Sequence, residues 1–153
     1  MSNIFIADFR DFLTALRQKQ VRYVLVGDYS VILPGYCRTT GDLDIWVEKT
    51  LTNYEHLVRA FHRFGMPVFD MTAANFLHRP DLDVFTFGRP PVAIDIITQL
   101  KGLDFAAAHA QAPELEVDGL TVRLPHLQDL RRSKRAAGRP RDQNDLDNLP
   151  ERA

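Results

Sequence analysis

The chain has 153 residues, 45% hydrophobic and 25% charged, with a formal net charge of -1; this is the profile of a soluble globular protein able to bury a core without staples, and it excludes a globally basic nucleic-acid binder while leaving room for a local basic patch. The one cysteine, Cys37, excludes an internal disulfide and suits a reducing compartment. The N-terminus carries acids within its apolar stretch and does not read as a signal peptide, and no apolar run approaches the roughly 20 residues of a membrane helix, so the expectation is a cytoplasmic protein without a membrane partner.

Ile6, Phe9, Phe12, Leu13 and Leu16 recur at helical spacing, which predicts an amphipathic helix over 4–19. The run VRYVLV at 21–26 is β-rich and apolar and stops at Gly27, as a buried strand does. Asp28 can cap a short helix to about residue 34, and 35–41 reads as loop. A second strand is expected at 43–47. Tyr54, Leu57, Val58 and Phe61 set a helix over 51–64, stopped by Gly65 and Pro67. A short helix is expected at 71–78, strands at 83–87 and 92–97, and a turn at 88–91. Alternation of Leu115 and Val117, then Asp118-Gly119, then Leu120, Val122 and Leu124 predicts a β-hairpin with a type I′ turn. Two helical stretches follow, one over 127–137 and one from Pro140 to about residue 149. The sequence shows no repeats and no interdomain linker. It reads as a single domain over 1–153, with a core at about 21–100 and a C-terminal hairpin and helices at about 113–149. The class is α+β, a small sheet with helices around it.

The chemistry-bearing stretch is YVLVGDYSVILPGYCRTTGDLDIWV, residues 23–47. Two aspartates two residues apart on a strand face the same way. Asp42 and Asp44 therefore converge on one side while Leu43 and Ile45 turn to the other. Asp95 interrupts an apolar strand between Ile94 and Ile96. A buried unpaired carboxylate costs several kcal/mol, so it needs a partner. If the two strands are neighbours, three carboxylates meet and repel one another. A divalent cation removes that conflict, and oxygen-only ligands favour a hard ion, Mg²⁺ or Mn²⁺. The plainer readings are that Asp42 caps a loop and that Asp95 is a core acid paired with Arg38 or Arg123.

The combination of an apolar strand ending in Gly27, a short helix, an Arg-Thr-Thr-Gly loop, Asp-x-Asp on a strand and a later lone strand Asp resembles the nucleotidyltransferase superfamily of DNA polymerase β type. The resemblance is closest to small bacterial nucleotidyltransferases related to the toxins of abortive-infection systems, where stretches similar to GYCRTTGDLDIWV, FGRPPVAIDIIT and KRAAGRPRDQNDLDNL occur in this order. It spans roughly 23–149. It implies the nucleotidyltransferase fold, a small mixed β-sheet flanked by helices with a C-terminal helical segment. It implies that Asp42, Asp44 and Asp95 are catalytic and ligate metal, Asp42 and Asp44 holding two ions about 3.5–4 Å apart. An acceptor hydroxyl would attack the α-phosphate of an NTP and pyrophosphate would leave. The backbone after Gly27, at a helix N-terminus, would face the triphosphate. Asp28 and Ser30 fall in the same nucleotide-binding turn, Ser30 either adding a hydroxyl or packing. Arg38 and Lys134 would neutralise phosphate charge, though Arg38 reads equally well as a solvated loop arginine. The chain departs from the family at Asp28, where Gly or Ser is usual. A carboxylate there caps the helix but sets negative charge where a triphosphate would sit.

The implied activity is Mg²⁺-dependent transfer of a nucleoside monophosphate from an NTP to a hydroxyl of RNA (tRNA among the candidates), a protein or a small molecule, within a toxin–antitoxin pair whose other member would be a cognate protein. The rival from another class is a catalytically weak binding module of the same fold within such a pair, which Asp28 favours and the three aspartates oppose. A metal-dependent nuclease needs similar acids but does not explain the Gly27 turn. The five histidines show no metal spacing. The basic cluster Arg131, Arg132, Lys134, Arg135, Arg139 and Arg141 reads first as a solvated helix face balanced by Asp142, Asp145 and Asp147, and second as a strip for nucleic-acid phosphates.

Overall fold

A computed structural model describes residues 6–27, 42–89, 92–117, 119–138, 140 and 146–147. The first helix, α1 (Ala7–Gln18), buries Phe9, Phe12, Leu13 and Leu16, the stripe that its 3.6-residue period requires. Strand β1 (Tyr23–Val26) follows. It is two residues shorter than the apolar run because the Arg22 N–H donates to the side chain of Asn53, at 2.7 Å. Strand β2 (Leu43–Val47) and helix α2 (Leu51–Phe64) have the expected bounds. Thr50 caps α2 by accepting from the Asn53 N–H, and Gly65 ends it with φ 92°, a left-handed cap that glycine adopts without strain.

Helix α3 (Ala73–His78) starts two residues later than the apolar spacing implies, because Thr72 is its cap. Strand β3 (Val84–Arg89) runs further than expected: Gly88 and Arg89 pair with Ala93 and Val92 of β4 (Val92–Ile97) rather than turning. Helix α4 (Phe105–Gln111) has no counterpart in the periodicity, being short and rich in alanine. Its signal is the cap, since Asp104 accepts from the Ala107 N–H. Strands β5 (Glu114–Val117) and β6 (Leu120–Arg123) form the expected hairpin, with Val117 opposite Leu120. Helix α5 (Leu127–Ala137) closes at Gly138. Of the second C-terminal helix, residues 140, 146 and 147 are described and helical. The expected helix at 28–34, the loop at 35–41 and Asp118 lie outside the described residues.

The fold is mixed α+β. A four-stranded sheet has the order β1-β2-β4-β3, with β2 and β4 parallel and the two outer pairs antiparallel. Alternation along the strands sends Leu25, Leu43, Ile45, Ile94 and Ile96 to one face, where they form the main core with the buried stripes of α1 and α2. The other face carries Val24, Val26 and Trp46, packed with Ala108 and Ala112. Phe105 meets Trp46 edge-on, ring centres 5.1 Å apart. Helix α4 thus covers the apolar half of this second face. Among the described residues no helix is long and apolar enough to cross a membrane.

Candidate functional site

Strand register organises the second face into rows. One row runs Val24–Trp46–Ile97–Val84, and the next runs Val26–Asp44–Asp95–Thr86. The first row is the apolar one beneath α4. The second is polar, and Asp44 and Asp95 on it are half-buried. They occupy directly paired positions of parallel strands, whose axes lie about 4.8 Å apart. Side chains at paired positions lie on the same face, so the two carboxylates are neighbours.

Each carboxylate is fixed from its far side. Thr86 Oγ1 donates to Asp95 Oδ1 at 2.7 Å across the β3–β4 pair. On the other flank, β1 ends at Gly27, which has φ 70°. A Cβ built on Gly27 would overlap Asp44 Oδ2 and stand 2.9 Å from Asp44 Cγ. The carboxylate therefore rests directly on the glycine backbone, a close approach that only glycine permits.

Asp42 lies one residue before β2 and is half-buried. Strand alternation is expected to put it on the side of Asp44, but it lies before the first paired residue of the strand. Among the described residues, no group of three His, Cys, Asp or Glu side chains is close enough to hold a metal ion. The formed part of the site is thus the Asp44–Asp95 pair. An oxygen-only pair suits a hard cation, and Mg²⁺ is commonly held by one or two carboxylates with water and substrate phosphates completing its shell.

Lys134, on α5, is 7% exposed, whereas Arg132 and Arg135 on the same helix are exposed. Lysine is almost never buried unless paired, so Lys134 is set apart from the solvated face to which the cluster was assigned. Arg123 is not the partner of Asp95; it donates to Glu114 at 2.8 Å and to the Ala112 carbonyl at 3.3 Å. Asp28, Ser30 and Arg38 lie outside the described residues.

Sequence reasoning missed Thr86. A threonine opposite Asp95 carries no local signal, and only the β3–β4 register brings them together. Of the histidines, His56 Nδ1 lies 3.1 Å from the Gln20 carbonyl, His126 caps α5, His109 stacks on Phe105, and His62 and His78 are exposed. The chain matches no protein-family model, and no curated protein is significantly similar to it.

Proposed function

We propose that the chain is a divalent-cation-dependent nucleotidyltransferase of the DNA polymerase β type. The observation that carries this reading is the pairing of Asp44 with Asp95 on one sheet face, with the Gly27 backbone against Asp44. Two carboxylates placed side by side repel, and a cation between them relieves the repulsion. Support of each carboxylate from its far side, by Thr86 and by the Gly27 backbone, fits a pair kept in place for a cation.

In this reading Asp42, Asp44 and Asp95 hold Mg²⁺ or Mn²⁺, which would withdraw charge from the triphosphate and make the acceptor hydroxyl easier to deprotonate. Asp95, whose Oδ1 accepts from Thr86, would help take the acceptor proton. The acceptor oxygen then forms a bond to the α-phosphorus, the α–β phosphoanhydride bond breaks, and pyrophosphate leaves with the electron pair. The backbone following Gly27 would face the triphosphate, and Asp28 and Ser30, which follow it in the sequence, would belong to the same nucleotide-binding segment. Arg38 and the buried Lys134 neutralise phosphate charge. The acceptor is a hydroxyl on RNA, protein or a small molecule, and a toxin–antitoxin pair in the cytoplasm is the setting.

The test incubates the protein with Mg²⁺, each α-labelled NTP and either total tRNA or cell lysate, with Asp44→Asn alongside. Label on RNA or on a protein band with wild type alone supports the transferase and identifies its acceptor class. No transfer with any NTP overturns it in favour of a binding module of the same fold.

A further inference from the structure

At the opposite end of β1 from Gly27, a second site has a different chemistry. Tyr23 pairs with Val47, three positions along the strand from the Val26–Asp44 pair, about 10 Å away at strand rise. There the last turn of α1, the start of β1, helix α4 and the β5–β6 hairpin line an open pocket of about 400 Å³. Its walls include Arg17, Arg22, Tyr23, His109, Glu114 and Arg123. Three guanidinium groups thus converge, in a chain whose net charge is -1.

The acids nearby do not balance them. Arg22 gives Nε to Glu48 at 2.9 Å, and Arg123 pairs with Glu114 at 2.8 Å. Arg17 has no acidic partner among the described residues, which leaves the pocket with one excess positive charge. A guanidinium has five N–H donors, so Arg22 and Arg123 can keep these pairs and still donate into the pocket. In the last turn of α1 the Ala15, Arg17 and Leu16 carbonyls accept from the N–H groups of Lys19, Gln20 and Val21, so the guanidinium groups are the full charges facing the pocket. Burial pushes the Tyr23 phenol up to about 12, so it stays a neutral donor at physiological pH. Burial lowers the His109 pKa, and Arg123 and Arg22 lower it further, so the imidazole senses the field of these arginines.

We propose that this pocket binds a phosphate dianion, either free or as the head of a small phosphate ester. Several forked donors around one space suit an oxyanion that accepts on several oxygens and carries two charges. A lone carboxylate would be satisfied by one fork. The volume exceeds what inorganic phosphate fills and lies within the range for small organic ligands, so an ester has room for its organic part. The site is separate from the carboxylate row and does not depend on its chemistry.

The experiment titrates the full chain in EDTA with inorganic phosphate and, separately, with a nucleoside monophosphate, against chloride at matched ionic strength. Binding is followed through the NMR signals of His109. Saturable binding is expected, with the His109 pKa rising as the anion offsets the arginines. Arg17→Ala, an exposed position, is expected to weaken binding about tenfold, with Arg17→Lys recovering part of the loss. Asp44→Asn is expected to bind as wild type does. Tighter binding of the monophosphate identifies an ester as the ligand, and equal affinity identifies the phosphate alone. No His109 response beyond that of chloride, or equal affinity in Arg17→Ala, overturns the proposal. Loss of binding in Asp44→Asn also overturns it, by placing the anion at the carboxylates.

Discussion

The carboxylate of Asp44 rests on the backbone of Gly27, the residue that ends β1 with φ 70°. Strand end and acid are therefore one structural unit: they approach this closely only because no side chain stands between them.

Gly27→Ala should accordingly be costly twice over. An alanine at positive φ is strained by roughly 1–2 kcal/mol, and its methyl would displace Asp44. A loss of about 2–4 kcal/mol is expected, read from urea unfolding. A variant as stable as wild type would show that the Gly27–Asp44 contact is not held in solution.

The Asp44–Asp95 pair should respond to divalent cation without any substrate. At about a hundred times its Kd, Mg²⁺ would stabilise the fold by about 2.7 kcal/mol, a Tm rise of several degrees in a chain of this size. Asp44→Asn should lose most of that rise while keeping its cation-free Tm within a few degrees. An equal rise in the variant would remove Asp44 from the ligand set.

Asn53 is 2% exposed and joins the entry of β1 to α2. It accepts from the Arg22 N–H at 2.7 Å and donates to the carbonyls of Arg22 and Glu48 at 3.0 and 2.9 Å. Asn53→Ala leaves backbone groups without these partners, and a loss of about 2–4 kcal/mol is expected in denaturant unfolding. A change below about 0.5 kcal/mol would mean that water replaces the amide there.

His109 gives stability a pH dependence with a defined sign. Its folded pKa is lowered, first by burial and then by Arg123 and Arg22. The unfolded chain therefore takes up this proton at higher pH than the folded chain does. The contribution is fully present above the unfolded value near 6.5 and is lost as pH falls from there through the folded pKa. Urea midpoints measured from pH 7.5 to 5 should decline, and His109→Gln should flatten the decline.

Much of the fold was legible because its elements carry strong periods. The stripes of α1 and α2, the runs of β2 and β4 and the Asp-Gly hairpin signal all specify elements seen in the structure. Helix α4 was not legible because seven residues rich in alanine hold no apolar period. The ends of β1 and β3 shifted because long-range partners, Asn53 and the β4 register, decided which backbone groups pair.

By itself the sequence determined that Asp44 lies on a strand, with Asp42 just before it, and that Asp95 needed a partner, since an acid in an apolar run does. Only the tertiary structure decided that the partners of Asp95 include Thr86 rather than Arg123, that Asp44 is its neighbour, and that Arg123 joins Arg17 and Arg22 at one pocket. Strand order and register are set by how the two sheet faces bury their side chains, a property of the whole core that no local spacing encodes.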